Sequence, residues 1–505
     1  MFLGQPAEEF QLLSLSTELL LLICELLDLT TLLVLAKASK RFHYLALPVY
    51  LARHGLPDSE PRSLALRSRA EILALPGLTL SLSITSLDHL LFDLDGVEDR
   101  FAWAVHHLLL FVHKLTEVRA VTLRLGNFMD YRWVDGFGTV NANPHRGDSD
   151  LTRLLTTILN RKCTSLTVIH GHFLASVLAS IPAKAATATK RPDPGSSASS
   201  LTNLLKCPLH ITHRRDTTKR VLYRNHLHTF GVHASILFMQ PFYDWTIETL
   251  NTSNITSLSL RLSGMTSRAL GVTLSNLTIP SLVTFAAETV AISFTDLHQF
   301  LLRHPSISHL HLHPHLNYHR STKLPRRAKK KFLPQLTSVS GSARNIKVLL
   351  GQVPPSGLAQ LQSITLSLPA HQRVFQSNDF EDLNKGIGEV LRSITPRELV
   401  VRFSLPFDKS REERLEVGEN VASSFRSVEA LTFCTDGHFA FVRWILPILP
   451  MWLTTFTSLR HLTLADDCAP SEPLTHTDFL RSVTERCPKL EIITLGAKEH
   501  RLLKS

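Results

Sequence analysis

Leu282–Leu312 reads LVTFAAETVAISFTDLHQFLLRHPSISHLHL. It opens and closes on one pattern: apolar, two residues, apolar, one residue, apolar. Leu282, Phe285 and Ala287 fill it first, then Ile307, Leu310 and Leu312. Each run alternates as a short strand with one buried side, because successive strand side chains point to opposite faces. Between them Thr295–Leu302, TDLHQFLL, has the Thr and Asp start of a helix. A strand and a helix together make one unit.

The same pattern recurs outward along the chain. Its middle apolar positions are Val121, Leu166, Phe230, Leu258, Phe285, Leu310, Val339, Ile364, Leu399, Leu431, Leu462 and Ile493, and from Phe230 onward they stand 25 to 35 residues apart. Thr477–Arg486, TDFLRSVTER, is a second inter-strand helix. Leu78–Ile84, LTLSLSI, reads as a first strand and Val97–His113 as a long helix. Two segments break the period. Lys184–Lys219, rich in Pro, Gly and Ser, is expected as a mobile insertion, and Arg320–Lys331, RSTKLPRRAKKK, as a basic tongue.

Strand plus helix at this spacing resembles the leucine-rich repeat. The resemblance implies an α/β solenoid with a parallel sheet on its concave face, the face such repeats commonly use to hold partners. The Asn usual after each strand is mostly missing. Asp436 and Asp467 stand near that place, and Val290 or His315 elsewhere.

The N-terminal run Leu15–Leu45 is crowded with leucine. It carries Glu18, Glu25, Asp28, Lys37, Lys40 and Arg41, too many charges for a bilayer span. Leu15, Leu19, Ile23 and Leu26 recur at near-helical spacing behind Ser16 and Thr17. Asp28 offers a cap for a second helix, and Ser39–Leu45 gives a third, ended by Pro48. Three helices this short bury too little surface to stand alone, so leftover leucines need cover.

These residues resemble the F-box. Its pattern runs here without a gap through Leu15, Ser16, Glu18, Leu19, Ile23, Leu26, Asp28, Leu29, Leu32, Leu33, Leu35, Ala36, Ala38, Ser39, Arg41 and Phe42. Ser16 replaces the family's proline, Ala38 its valine and Phe42 its tryptophan. The LALPVYL run at 45–51 is similar to the divergent F-box sets of fungi. The boundaries implied are an F-box-like helical domain over 9–52, a connector over 53–77, and a solenoid over 78–505 with insertions at 184–219 and 320–331. A helical F-box joined to such repeats resembles the substrate receptors of SCF (cullin-RING) ubiquitin ligases. That implies a non-catalytic chain which docks the SCF adaptor, and through it cullin, with Leu15, Leu19, Ile23, Leu26, Leu29, Leu32, Leu33 and Phe42.

Composition agrees with a folded binding protein. The net charge is +11 and the pI about 9.5, favouring acidic partners. Six scattered cysteines form no disulfide or zinc pattern, and the N-terminus has no leader-like start, so a cytoplasmic or nuclear setting is expected. No phosphate loop, HExxH or GxSxG signature occurs, and neither an enzyme nor a cofactor is expected. The alternatives are a leucine-rich-repeat scaffold or a nucleic-acid-binding protein unconnected to the ligase, and five Trp and six Tyr are few for single-strand stacking, which disfavours nucleic acid. His309, His311 and His313 alternate on one strand and diverge too far for a metal site. With Arg124, His233, Arg261 and Arg402 they should line the concave face and meet an acidic or phosphorylated target.

Overall fold

The computed structural model of the chain describes residues 15–56, 62–95, 100–126, 150–170, 226–239, 242–262, 265–288, 292–312, 332–350, 360–368, 398–403, 428–435, 449–465, 473–496 and 498–502. They belong to two compact units, Met1–Leu227 with Ile236–Ser253, and His228–Ser235 with Asn254–Ser505. Both expected insertions lie outside the described residues, as do Val290, His315, Asp436 and Asp467.

The first unit opens with helices α1 (Thr17–Leu26), α2 (Leu29–Ala38) and α3 (Lys40–Arg53). Asp28 caps α2 by accepting from the Thr31 amide at 3.0 Å, and Ser39 caps α3 by accepting from the Phe42 amide at 3.2 Å. Ser16 occupies the cap position of α1 without a side-chain capping bond. At the far end of α1, Arg53 donates to the carbonyls of Glu25 and Leu27 and, at 3.4 Å, of Cys24. A guanidinium thus satisfies carbonyls that the helix leaves open.

Helix α3 does not stop at Pro48, as its sequence predicts, but continues to Arg53. A proline inside a helix removes a donor and costs about 3 kcal/mol. Burial of Tyr50 and Leu51 beyond it offsets that cost.

Four parallel strands follow in chain order: β1 (Ser63–Leu66), β2 (Ser86–Asp93), β3 (Glu117–Arg124) and β4 (Ser165–Ile169). Short helices α4 (Arg69–Leu73) and α5 (Leu75–Leu80) precede β2. Helix α6 (Phe101–Lys114) precedes β3, α7 (Asp150–Asn160) precedes β4, and α8 (Tyr243–Thr252) completes the unit. The sheet therefore begins at Ser63, inside the stretch expected to be a connector. Leu78–Ile84, expected as a strand, is instead the end of α5 and the turn after it. Pro76 stands in the first turn of that helix, and the apolar alternation serves packing, with Leu75 and Leu78 buried.

In the second unit β5 (Thr229–His233), β6 (Ser257–Arg261), β7 (Thr284–Glu288), β8 (His309–Leu312) and β9 (Ser338–Gly341) pair parallel in sequence order. The parallel ladder continues through β10 (Ser363–Leu368), β11 (Glu398–Phe403), β12 (Ala430–Thr435), β13 (His461–Leu464) and β14 (Ile492–Leu495). Helices α9 (Ser267–Asn276), α10 (Phe294–Arg303), α11 (Ala343–Leu350) and α12 (Pro473–Arg486) lie between strands. Strand β15 (Lys498–Arg501) runs antiparallel to β14. Its charged KEHR sequence closes the sheet with a poor template for further pairing. Each unit is thus an α/β, leucine-rich-repeat-like run of strand and helix.

The register of the second unit carries one apolar row. Phe230, Leu258, Phe285, Leu310, Val339, Ile364, Leu399, Leu431, Leu462 and Ile493 stand opposite one another from strand to strand. Leu64, Leu90, Val121 and Leu166 do the same in the first unit. Apolar helix residues close over this row, as where Phe300 of α10 meets Phe285 at 4.7 Å between ring centroids. Successive repeats are also pinned by His304, whose Nε2 accepts from the Ile279 amide at 2.9 Å while Nδ1 donates to Phe300 O at 2.7 Å. Before several strands a Thr extends the ladder. Thr116, Thr164 and Thr337 each donate both amide and hydroxyl to a carbonyl of the neighbouring repeat.

Candidate docking surfaces

Helix α1 buries Leu20 and Cys24, four residues apart, toward the other two helices. At 100° per residue the same helix directs Leu19, Leu22, Ile23 and Leu26 into an arc of roughly 100° on another side, and Leu15 stands just before its cap. Leu19 is 49% exposed, Leu22 57% and Leu26 87%, with Ile23 and Leu15 half-buried and Leu29 exposed just past the helix. An apolar ridge therefore stands in solvent on one face of the three-helix unit.

Two of the eight expected adaptor-binding residues are buried instead. Leu32 is fully buried and Phe42 is 4% exposed. They form the small core with Leu20, Cys24, Ala36 and Ala46, and no partner could touch them in this fold. Leu33 stays half-buried. Four residues missed at the sequence level are exposed instead: Leu21, Leu22, Val34 and Tyr44. Plotting the first helix as a wheel around Leu20 and Cys24 would have found Leu22.

On the sheet, Arg124, Arg261, His309 and His311 point away from the buried row, and His233 is half-buried. Arg124 belongs to the first unit, where its Nη1 lies 3.2 Å from Asp93 Oδ2 on the neighbouring strand. A cross-strand ion pair has already engaged it. The others share one face of the second unit without converging, since β5 and β8 are three strand spacings apart, about 14 Å. His233 Nε2 meets Ser259 Oγ at 2.9 Å and His311 Nδ1 meets Ser340 Oγ at 2.8 Å. Arg261 stands opposite Glu288 in the register. His313 lies outside the described residues. The Arg402 backbone is in β11, with nothing described of its side chain.

Among the described residues no group of three or more His, Cys, Asp or Glu side chains is arranged to hold a metal ion. No described helix is long and apolar enough to cross a membrane. The thiols of Cys24, Cys163 and Cys487 are free and buried, and burial pushes each one's pKa up.

No family model matches the chain, and no curated protein is similar to it. Among solved structures it is similar to the leucine-rich repeat-containing protein LegL7 from Legionella pneumophila. The match has 14% identity and a TM-score of 0.32, covering 55% of this chain and 89% of that one.

Proposed function

We propose that the chain is the substrate-recognition subunit of an SCF-type (cullin-RING) ubiquitin ligase. Its N-terminal helices dock the adaptor, and through it cullin, while the concave sheet face holds a target protein. Itself non-catalytic, it works in the cytoplasm or nucleus and raises rate by holding the target near the charged enzyme. More broadly stated, it is a protein-binding repeat scaffold.

The supporting observation is the ridge of Leu19, Leu22 and Leu26. Isolated exposed leucines are ordinary, but a contiguous helical row marks an interaction surface. Covering one leucine fully contributes roughly 1.5–3 kcal/mol. A partner groove that took the whole row would bind firmly.

The test is co-purification of the full chain from its native cell. Adaptor and cullin should co-elute with the wild type and be lost with Leu26→Asp. Adaptor capture that survives Leu26→Asp together with Leu22→Asp would leave only the scaffold reading.

A further inference from the structure

We propose that a notch at the N-terminal ends of β1–β4 receives the carboxylate of an acidic side chain from a protein partner. The inference rests on the reading that this chain holds a protein target, and it adds a site and a ligand chemistry to that reading.

The floor of the notch follows from the register. Ser63, His89, Ala120 and Ser165 stand side by side on adjacent strands. Ala120 projects only a methyl group, which leaves a dip between the His89 ring and Ser165. The residues one position earlier, Arg62, Asp88 and Arg119, form a wall, and the cavity measures about 570 Å³. That exceeds what a bare ion needs and suits a side chain with its flanking backbone.

The two guanidinium groups differ. Arg119 is held by two carboxylates: Nη1 lies 3.1 Å from Asp88 Oδ1, and Nε lies 3.0 Å from Glu117 Oε1. Its orientation is set in advance, so less side-chain entropy is lost when a ligand arrives. Arg62 forms no ion pair among the described residues, and its backbone is anchored because its carbonyl accepts from the Asp88 amide at 2.7 Å. Its planar fork is free to meet a carboxylate with two parallel hydrogen bonds.

Charge selects the ligand. Arg62, Arg119 and Lys162, whose Nζ is 3.7 Å from Glu117 Oε2, supply three positive charges against the two negative charges of Asp88 and Glu117. The surplus is a single positive charge. One carboxylate neutralises it, whereas a phosphate dianion would overshoot and face Asp88 and Glu117 at close range.

The probe is a fluorescein-labelled Gly-Ser peptide carrying one Glu, titrated against the full chain by anisotropy. Its counterparts carry one Gln or one phosphoserine in its place. The acidic peptide should bind more tightly than both, and Arg62→Gln should weaken it by about threefold to fivefold, the scale of an exposed ion pair. Arg62→Glu should abolish the preference for acid over amide, with an unchanged melting curve because Arg62 is exposed. Equal binding of acid and amide peptides, or undiminished binding by Arg62→Glu, would overturn the site. Tighter binding of the phosphoserine peptide would overturn the carboxylate assignment. Adaptor co-elution, read on the same preparations, is independent of the notch. Its loss with peptide binding intact counts against the ligase reading alone.

Discussion

Gly77 of α5 lies against the ring of Tyr50 in α3, so close that a β-carbon added at Gly77 would stand 2.5 Å from Tyr50 Cε1. The Tyr50 hydroxyl donates to Leu73 O at 3.0 Å, which holds the other end of the ring. The N-terminal helices and the start of the first sheet are thereby joined through a contact only glycine permits. Gly77→Ala should destabilise the chain despite alanine's helix preference of about 1 kcal/mol. Displacing the ring and its hydrogen bond costs about 1–3 kcal/mol. Urea unfolding checks this, and in a Tyr50→Ala background the same change should turn stabilising. A raised urea midpoint for Gly77→Ala alone would mean that the ring yields freely.

Acid should weaken the second unit through His304. Both ring nitrogens are committed in the neutral form, and burial lowers its pKa from the usual 6.5. The unfolded chain then takes up the proton at higher pH than the folded one. Stability is full above about pH 6.5 and drains away as pH falls toward the lowered folded value. Burial lowers His298 in the same direction. His304→Ala should flatten the loss that sets in below about pH 6.5. It should also lower the plateau by about 2–4 kcal/mol, because the Ile279 amide is left unpaired. Equilibrium unfolding at several pH values measures both effects.

Leu26 and Leu32 should respond in opposite ways. Leu26→Ala removes solvent-facing surface and should change stability by less than about 0.5 kcal/mol. Leu32→Ala opens the small helical core and should cost about 2–5 kcal/mol. Thermal melts of the two variants decide it, and equal losses would mean that the ridge is packed.

The described thiols should resist alkylation in the native state. Burial pushes Cys163 up to about 12 and Cys487 up to about 11, and Cys24 is raised as well. The reactive thiolate is therefore scarce at pH 8, and access is blocked. Mass spectrometry after iodoacetamide should find these three unmodified until denaturant is added. Rapid native labelling of Cys163 would show that its repeat opens readily.

Much of the repeat architecture is legible in the residue order alone. Every middle apolar position from Phe230 to Ile493 falls in one continuous register, because burying one side of each strand imposes a period of two that no other element copies over so many repeats. The first repeats are harder to read. SLAL at 63–66 is too short to announce a strand, and LTLSLSI alternates like one while α5 and a turn occupy it. Tertiary packing overrides a local pattern there.

At the N-terminus the helical spacing predicts where helices lie but not which leucines they hide. Leu26 and Leu32 carry identical chemistry at similar places in adjacent helices, and one faces water while the other is the core. Likewise Ser63, His89, Ala120 and Ser165 share no motif, and only strand register makes them neighbours. By itself the sequence determined the repeat, its buried row and the helical character of the first residues, since local periodicity is written along the chain. Only the tertiary structure decided which faces remain uncovered and which distant side chains meet, because both depend on how elements far apart in sequence pack together.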